Sequence, residues 1–522
     1  MIMKLRLSKL PCRARTQVWA LSLLLCSGIC LFNASFMSIW AAPSPNIDLE
    51  EQFQEALELH LNSRGEVWIK ATDPNERFDS LFSTYQIDLL IKQGGFDVLF
   101  NAADEAFELE VDRVRGMGSP PTPPIGYPYL PRPIHKGERG GLDGTSCRTC
   151  HFSGGPDGGG DGTSLAMFRG DGQHLNTATL RDAPALLGVG YLVLLAQEMS
   201  QALQKQKEQA IQRAKAMKES VKLDLSFQGV NFGYLVAQAN GEIDYSHIEG
   251  VSHDLIVRPL GWKGRHHSLV EIADESLALH HGLQSDHRVH KYKDQAEIYL
   301  GTGPEWDKDQ DQVIQELDAG HPAILASYMA LLSAPIYTAP QTTSAQLDWA
   351  KGRGWFEQVG CAYCHRPVLR VKPAALNISV QGKRSYSTVI KPFEHGQEPR
   401  IRRVDYSSDA QGRIPAGSPL FLYSDLKRHD MGERLADRQD ETLPEGQVVP
   451  RQLWLTRPLW GLAQSAPYLH DGRAQNIHEA ILWHGGEAQS AVELYRTLKP
   501  NEQGLLRAFL MSLGRPNVLL VE

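Results

Sequence analysis

Two short runs, Cys147-Arg-Thr-Cys150-His151 and Cys361-Ala-Tyr-Cys364-His365, limit what this chain can become more than any other feature. In each, two thiols lie one helical turn apart and a histidine follows directly. That spacing lets both sulfurs bond the vinyl groups of one porphyrin while the imidazole ligates its iron, which is the attachment signature of a c-type haem. Two copies imply two covalently bound haem c groups, held through Cys147, Cys150, Cys361 and Cys364, with His151 and His365 on the irons. Of the seven cysteines, Cys12, Cys26 and Cys30 lie near the N-terminus, and the motifs use the other four. A thioredoxin-like pair would need neither the trailing histidine nor a duplicate. A zinc ribbon would place its pairs about 15–20 residues apart, far closer than these.

At 522 residues the chain exceeds the roughly 250–300 residues at which single cores stop growing. A net charge of -8 gives no sign of nucleic-acid binding. Lys4, Arg6, Lys9, Arg13 and Arg15 precede an apolar run from Val18 to Ala42, followed by Pro43-Ser44-Pro45. Basic, then apolar, then small residues and a breaker describe a secretory signal. The run also reaches the ~20 residues of a membrane span, so residues 1–42 are either a signal peptide or a membrane anchor. Covalent haem attachment requires export in bacteria, and the expected location is the periplasm.

Residues 47–117 read as largely helical, and Ser119–Pro133 as an extended proline-rich loop. Glycine is dense from Gly140 to Gly172, as expected of backbone wrapping closely around a flat ligand. A long lysine- and glutamine-rich helix follows from Leu192 to about Val221. Alternation from Leu223 to Ile256, with Asn240-Gly241 as a turn signal, reads as one or two hairpins. Ser344 is a candidate N-cap, and Leu505, Leu506, Phe509, Leu510 and Leu513 form one apolar helical stripe. The two halves repeat one another. Pro184-Ala-Leu-Leu-Gly188 echoes Pro458-Leu-Trp-Gly461, and Trp262-Lys-Gly-Arg265 with Leu269 and Glu271 matches His470-Asp-Gly-Arg473 with Ile477 and Glu479. The expected fold is mainly α: two tandem cytochrome c-like haem domains, a helical N-terminal extension and a small β-hairpin insertion in the first domain. Residues 43–340 and 341–522 are the expected domains.

An iron held by its motif histidine has one face left. His484 sits eleven residues after Arg473, on a helix expected to start near Ile477, and is the candidate for the second iron; Met431, in His429-Asp-Met-Gly432, competes with it. In the first half His280 falls fifteen residues after Arg265. That is one helical turn beyond the equivalent of His484 and on the same helix face. His281 and His174 are alternatives. Any one histidine is, by default, a surface or hydrogen-bonded residue; the repeat position favours His484.

Gly360-Cys-Ala-Tyr-Cys-His365, Tyr423-Ser-Asp-Leu426, His429-Asp-Met-Gly432 with Leu435-Ala-Asp437, and Ala466-Pro-Tyr-Leu-His-Asp-Gly-Arg473 through Glu479-Ala-Ile-Leu-Trp-His-Gly-Gly-Glu487 resemble the di-haem cytochrome c peroxidase superfamily. That superfamily includes the di-haem enzyme that matures methylamine dehydrogenase. The nearest likeness is to its di-haem oxidoreductase branch, also called "thiol oxidoreductase-like". The resemblance covers most of residues 140–513, and is specific in the second half and diluted in the first. It implies that Trp262 relays electrons between the haems and that His484 is the far-side ligand of the C-terminal haem. It also implies that the Ser465-Ala-Pro467 loop offers backbone oxygens to a calcium. Two departures stand out. The family's acidic residue, about twenty positions after the tryptophan, falls where this chain reads Leu279-His280-His281-Gly282, and its calcium-binding asparagine is Gly188 here.

Two functions follow as expectations. The first is an exported di-haem c-type cytochrome acting as a peroxidase-like oxidoreductase, electrons entering at the C-terminal haem and passing by Trp262 to the N-terminal haem. His280 or His281 would then give acid/base help. Its partners would be small electron donors (a cytochrome c or a cupredoxin) or a quinol-linked chain, with hydrogen peroxide or a similar oxidant as substrate. The second is a non-catalytic bis-histidine electron-transfer cytochrome.

Overall fold

The computed structural model describes, apart from a few positions within them, residues 99–109, 144–168, 179–292, 315–390 and 419–514, together with the backbone of short strands nearer the N-terminus. The apolar run Val18–Ala42 and His174 lie outside the described residues. Among those residues no helix is long and apolar enough to cross a membrane.

The architecture is mixed rather than mainly α. β2 (Leu59–Leu61) and β3 (Glu66–Lys70), within the 47–117 segment expected to be helical, pair antiparallel with each other and with β1 (Ile2–Arg6), in the order β1-β3-β2. Among the described residues of that region, helix is seen at 99–100 and 102–108. A four-stranded antiparallel sheet follows from β4 (Arg132–His135), β5 (Glu138–Arg139), β6 (Leu165–Phe168) and β7 (Thr179–Arg181). The strands are too short for single-sequence periodicity to separate them from loop.

Helix α1 spans Val189–Met217. Its first turns are buried on every side, through Val189, Tyr191, Leu192, Leu194 and Leu195, whereas beyond Leu203 only Ala210 and Ala214 are buried. Gly188 starts it in the left-handed region at φ 73°, and a Cβ there would press on Ala334 and Trp460 at 2.9 Å. Close packing therefore requires glycine at that position. The hairpin expected after α1 forms as β8 (Val221–Phe227) and β9 (Val230–Ala237), turning at Gln228-Gly229; Asn240-Gly241 instead joins β9 to β10 (Ile243–Asp244). Helices α2 (Leu269–His280) and α3 (Gly320–Leu331) complete this core. Every residue of α3 is buried.

One buried apolar cluster joins these elements to the antiparallel pair β11 (Leu376–Val380) and β12 (Tyr386–Ile390). In β11, Leu376, Ile378 and Val380 point inward while Asn377 and Ser379 are exposed, the period of a strand with one wet face. A second cluster is built on α4 (Thr343–Gln358) and α6 (Pro500–Met511). Thr342, two residues before the expected Ser344, caps α4 by accepting from Ala345 N at 3.2 Å. The expected stripe buries Leu506, Phe509 and Leu510. At Gly352 the two helices touch so closely that a Cβ would collide with the Leu505 carbonyl and the Phe509 side chain. Gly352→Val should therefore wedge α4 from α6 and lower stability by about 2 kcal/mol, the cost typical of overpacking. Urea unfolding reads this as a lower midpoint, and an unchanged midpoint would contradict the packing described here.

Candidate functional site

At the second motif, α4 ends at Gln358, and Gly360, at φ 93°, turns the chain into a single 3₁₀ turn over Cys361–Tyr363. The His365 amide then donates to the Cys361 carbonyl at 3.0 Å. His365 Nδ1 lies 3.0 Å from the Tyr423 carbonyl. A carbonyl only accepts, so Nδ1 carries the proton and Nε2 keeps its lone pair. Tyr423 is held in the left-handed region at φ 54°, and its ring packs among Phe356 and Phe509 at 6.0 and 5.9 Å.

His484 closes the other side. It ends the short helix α5 (Ile477–Trp483), whose N-cap Asn476 accepts from Glu479 N at 2.9 Å. Its Nδ1 donates to the Ala480 carbonyl at 2.7 Å, again leaving Nε2 bare. Burial pulls His365 down to about 4, and the nearby His484 adds to that shift. Burial lowers His484 as well. Both rings are thus neutral at pH 7, the form that ligates a metal. Met431 contributes its amide to the Gln452 carbonyl, and its own carbonyl lies against Gly485.

At the first motif Cys147–Thr149 form the equivalent turn, and the His151 amide donates to the Cys147 carbonyl at 3.2 Å. Two of the neighbouring glycines are required by the chain's own close packing. A Cβ on Gly158 or Gly160 would strike the Ser153 carbonyl or the Asp182 carboxylate, because the loop folds back on Ser153 and Asp182-Ala183. His151 lies deep beside the backbone of Gly158 and Pro184; burial lowers it to about 4, with His280 adding to the shift. His281 takes a different position: Nδ1 lies 3.1 Å from the Gly144 carbonyl and Nε2 3.9 Å from Cys147 Sγ.

Cys147, Cys150, His151, Trp262, His280 and His281 line one cavity of about 1420 Å³, open mouth included. Burial pushes the Cys147 and Cys361 thiols up to about 12, so both are protonated rather than metal-binding thiolates. Thiols outside any disulfide and one turn apart, each pair beside a neutral imidazole, are the donor set that a thioether-linked haem requires, and the residues fit that group at both motifs.

Residues missed by sequence reasoning line the same cavity. Glu275, thirteen positions after Trp262, faces it together with Ile272, Ser276 and Leu279, one face of α2. That helical spacing was the available signal. Glu275 is held by Arg265 at 2.7 and 2.8 Å and by His266 at 2.5 Å. Although burial works against ionisation, these partners keep the carboxylate far below its ordinary range, and Glu275 in turn raises His266. Trp262 donates its indole N–H to the Asp182 carbonyl at 2.7 Å. Its ring meets His470 edge-on at 6.4 Å, and His470 stacks on Trp454 at 3.8 Å. The Ser465–Pro467 loop abuts the first motif's segment, Ala466 accepting from Ser153 Oγ at 3.4 Å.

Asp182, also in the cavity wall, is raised to about 7 by burial, against a hydrogen bond from Gly162 N. Between its ordinary value near ~3.9 and about 7, the native protein holds a proton that the unfolded chain has released. Stability from this group therefore falls as pH rises through that window and is level above it. Asp182→Asn is expected to narrow the difference in urea stability between pH 5 and pH 8; an unchanged difference would contradict the assignment.

No curated protein matches the sequence at a significant level. Residues 403–513, the stretch that carries Tyr423, His429, Trp454, His470 and His484, match the family model described as "Di-haem oxidoreductase, putative peroxidase", the same family that the sequence motifs resemble.

Proposed function

We propose that the protein is an exported, periplasmic di-haem c-type oxidoreductase of peroxidase type. The observation that carries this reading is the unlike surroundings of the two motif histidines. His365 lies close enough to His484 to feel its charge, and a backbone carbonyl fixes the ring orientation of each. That pair suits a six-coordinate, low-potential centre that receives electrons. His151 instead opens on a cavity that also holds His280, the charged Arg265–His266–Glu275 cluster and Asp182. That cavity has room for a small oxidant and groups to handle its protons.

Cys147, Cys150 and His151 would hold one haem, and Cys361, Cys364, His365 and His484 the other; when bound, the haems supply one-electron chemistry. Trp262, which lines the cavity of His151, would carry electrons from the C-terminal centre to the N-terminal one. His280 gives acid/base help on the open side. His266 pairs with Glu275, which raises its pKa, and Asp182 exchanges a proton near neutral pH. Small cytochromes c, cupredoxins or a quinol-linked chain suit the donor role, and hydrogen peroxide or a similar oxidant the substrate role. A calcium at the Ser465–Pro467 loop would have to be held without a side chain at position 188.

Electron paramagnetic resonance of the oxidised protein tests the reading. One low-spin and one high-spin haem are expected, whereas two low-spin bis-histidine haems would make the protein an electron carrier, with His280 on the first iron. His484→Ala should keep both haems attached and convert the low-spin signal to high-spin. An unaltered spectrum would remove His484 from the iron.

A further inference from the structure

Four arginines around the two motifs come with acids, whereas Arg428 bonds the Ser252 hydroxyl at 2.6 Å. Arg181 pairs with Asp437 at 2.8 Å, Arg258 with Asp254 at 2.5 Å, Arg265 with Glu275 at 2.7 Å and Arg473 with Asp471 at 2.5 Å. Arg457 does not follow this pattern. Its guanidinium lies over the Trp262 indole, 5.6 Å from the ring centroid. Its hydrogen bond is a long one, from Nη1 to the Pro259 carbonyl at 3.5 Å. Among the described residues no carboxylate pairs with it, and burial alone pulls its pKa down to about 10. Arg457 is half-buried; a guanidinium largely withdrawn from water without an anion is costly, and a fold that keeps one normally supplies a counter-charge.

The chain around Arg457 belongs to both sites. Thr456 N donates to the Lys427 carbonyl at 2.8 Å, and the Thr456 carbonyl accepts from Ser424 Oγ at 2.6 Å. Leu459 N donates to the Leu422 carbonyl at 2.9 Å. These contacts bracket Tyr423, whose carbonyl orients His365. On the other side, Trp262 lines the cavity of His151. Arg457 therefore stands where the walls of the two sites meet.

We infer that Arg457 binds a carboxylate of the haem itself, a porphyrin propionate, at the junction of the two haem sites. Thioether attachment consumes the vinyl groups and leaves both propionates as the porphyrin's only anionic substituents. A planar guanidinium matches a carboxylate with two parallel hydrogen bonds. The indole beneath it fixes the plane of the fork. The inference rests on the two-haem reading above, and its consequence is electrostatic: a compensated propionate leaves the adjacent iron easier to reduce than an uncompensated one.

The test is a spectroelectrochemical titration of the haem-loaded protein and its Arg457→Gln and Arg457→Lys variants, with the haem count of each taken from its intact mass. All three should carry two haems. In Arg457→Gln one midpoint potential should fall and become pH-dependent between about pH 5 and 8, as a desolvated, uncompensated carboxylate takes up a proton on reduction. Arg457→Lys, which keeps the charge but loses the fork, should lie between. Potentials that stay put in Arg457→Gln would overturn the inference; if that variant does not fold, an unmoved Arg457→Lys would do the same. Adding acetate to the wild type should change nothing, because the carboxylate is already in place. An acetate-sensitive wild-type potential would mean a free anion binds there, and would overturn the propionate assignment. A wild type without haem would instead remove the reading beneath it.

Discussion

At His365 and again at His484, imidazole Nδ1 donates to a main-chain carbonyl, at 3.0 Å from Tyr423 and 2.7 Å from Ala480. This one interaction fixes the tautomer, leaves Nε2 with its lone pair and makes each ring a better donor to a metal. Much of the second core serves to keep those carbonyls in place. Tyr423 holds a left-handed backbone, which costs about 1–2 kcal/mol for a non-glycine residue. The burial of Phe356, Phe509 and the Tyr423 ring, each contributing about 1.5–3 kcal/mol, more than offsets it. Gly352 lets α6 come close enough for that aromatic group to close.

Between the two motifs lies a wall built from charge and aromatic rings. Lys263 is buried and donates to the Arg451 and Leu453 carbonyls at 2.8 and 2.9 Å, with its ammonium 3.8 Å above the Trp454 ring. Burial lowers it to about 8, against the attraction of Asp437. Arg181 reaches Asp437 with both guanidinium nitrogens and also covers Trp454. The main chain joins as well, with Leu455 N donating to the Trp262 carbonyl at 3.0 Å. Cations crowd Trp454, which disfavours positive charge on that ring; Trp262, whose N–H is tied to a carbonyl and whose face meets Arg457, lines the cavity of the first motif.

Sequence made the local chemistry legible and left the long-range chemistry hidden. The two Cys-x-x-Cys-His runs, the apolar stripe of α6 and the helix start at Ile477 depend on neighbours within a few positions, and each stands where the pattern put it. The hairpin after α1 formed too, though its turn is Gln228-Gly229, whose first residue carries no turn signature. Glu275 was passed over because the family's position for an acid was sought by residue count, whereas α2 presents it by helical phase. The close neighbours of Gly158 and Gly160, Ser153 and Asp182, are brought in by tertiary folding that the glycine count alone does not show. Short strands such as β6, β7 and β11 were unreadable for the same reason, since their partners decide whether they pair. Arg457 looked ordinary in the sequence because its lack of an acid is visible only in space.

The central claim is that two porphyrins are tethered through thioether bonds, one at Cys147 and Cys150 and one at Cys361 and Cys364. Intact mass spectrometry of the exported protein, before and after thiol alkylation under denaturing conditions, tests it most directly. The account predicts the mass of two haem groups and no alkylation at those four cysteines. A single haem, or four cysteines that take up the label, would contradict it.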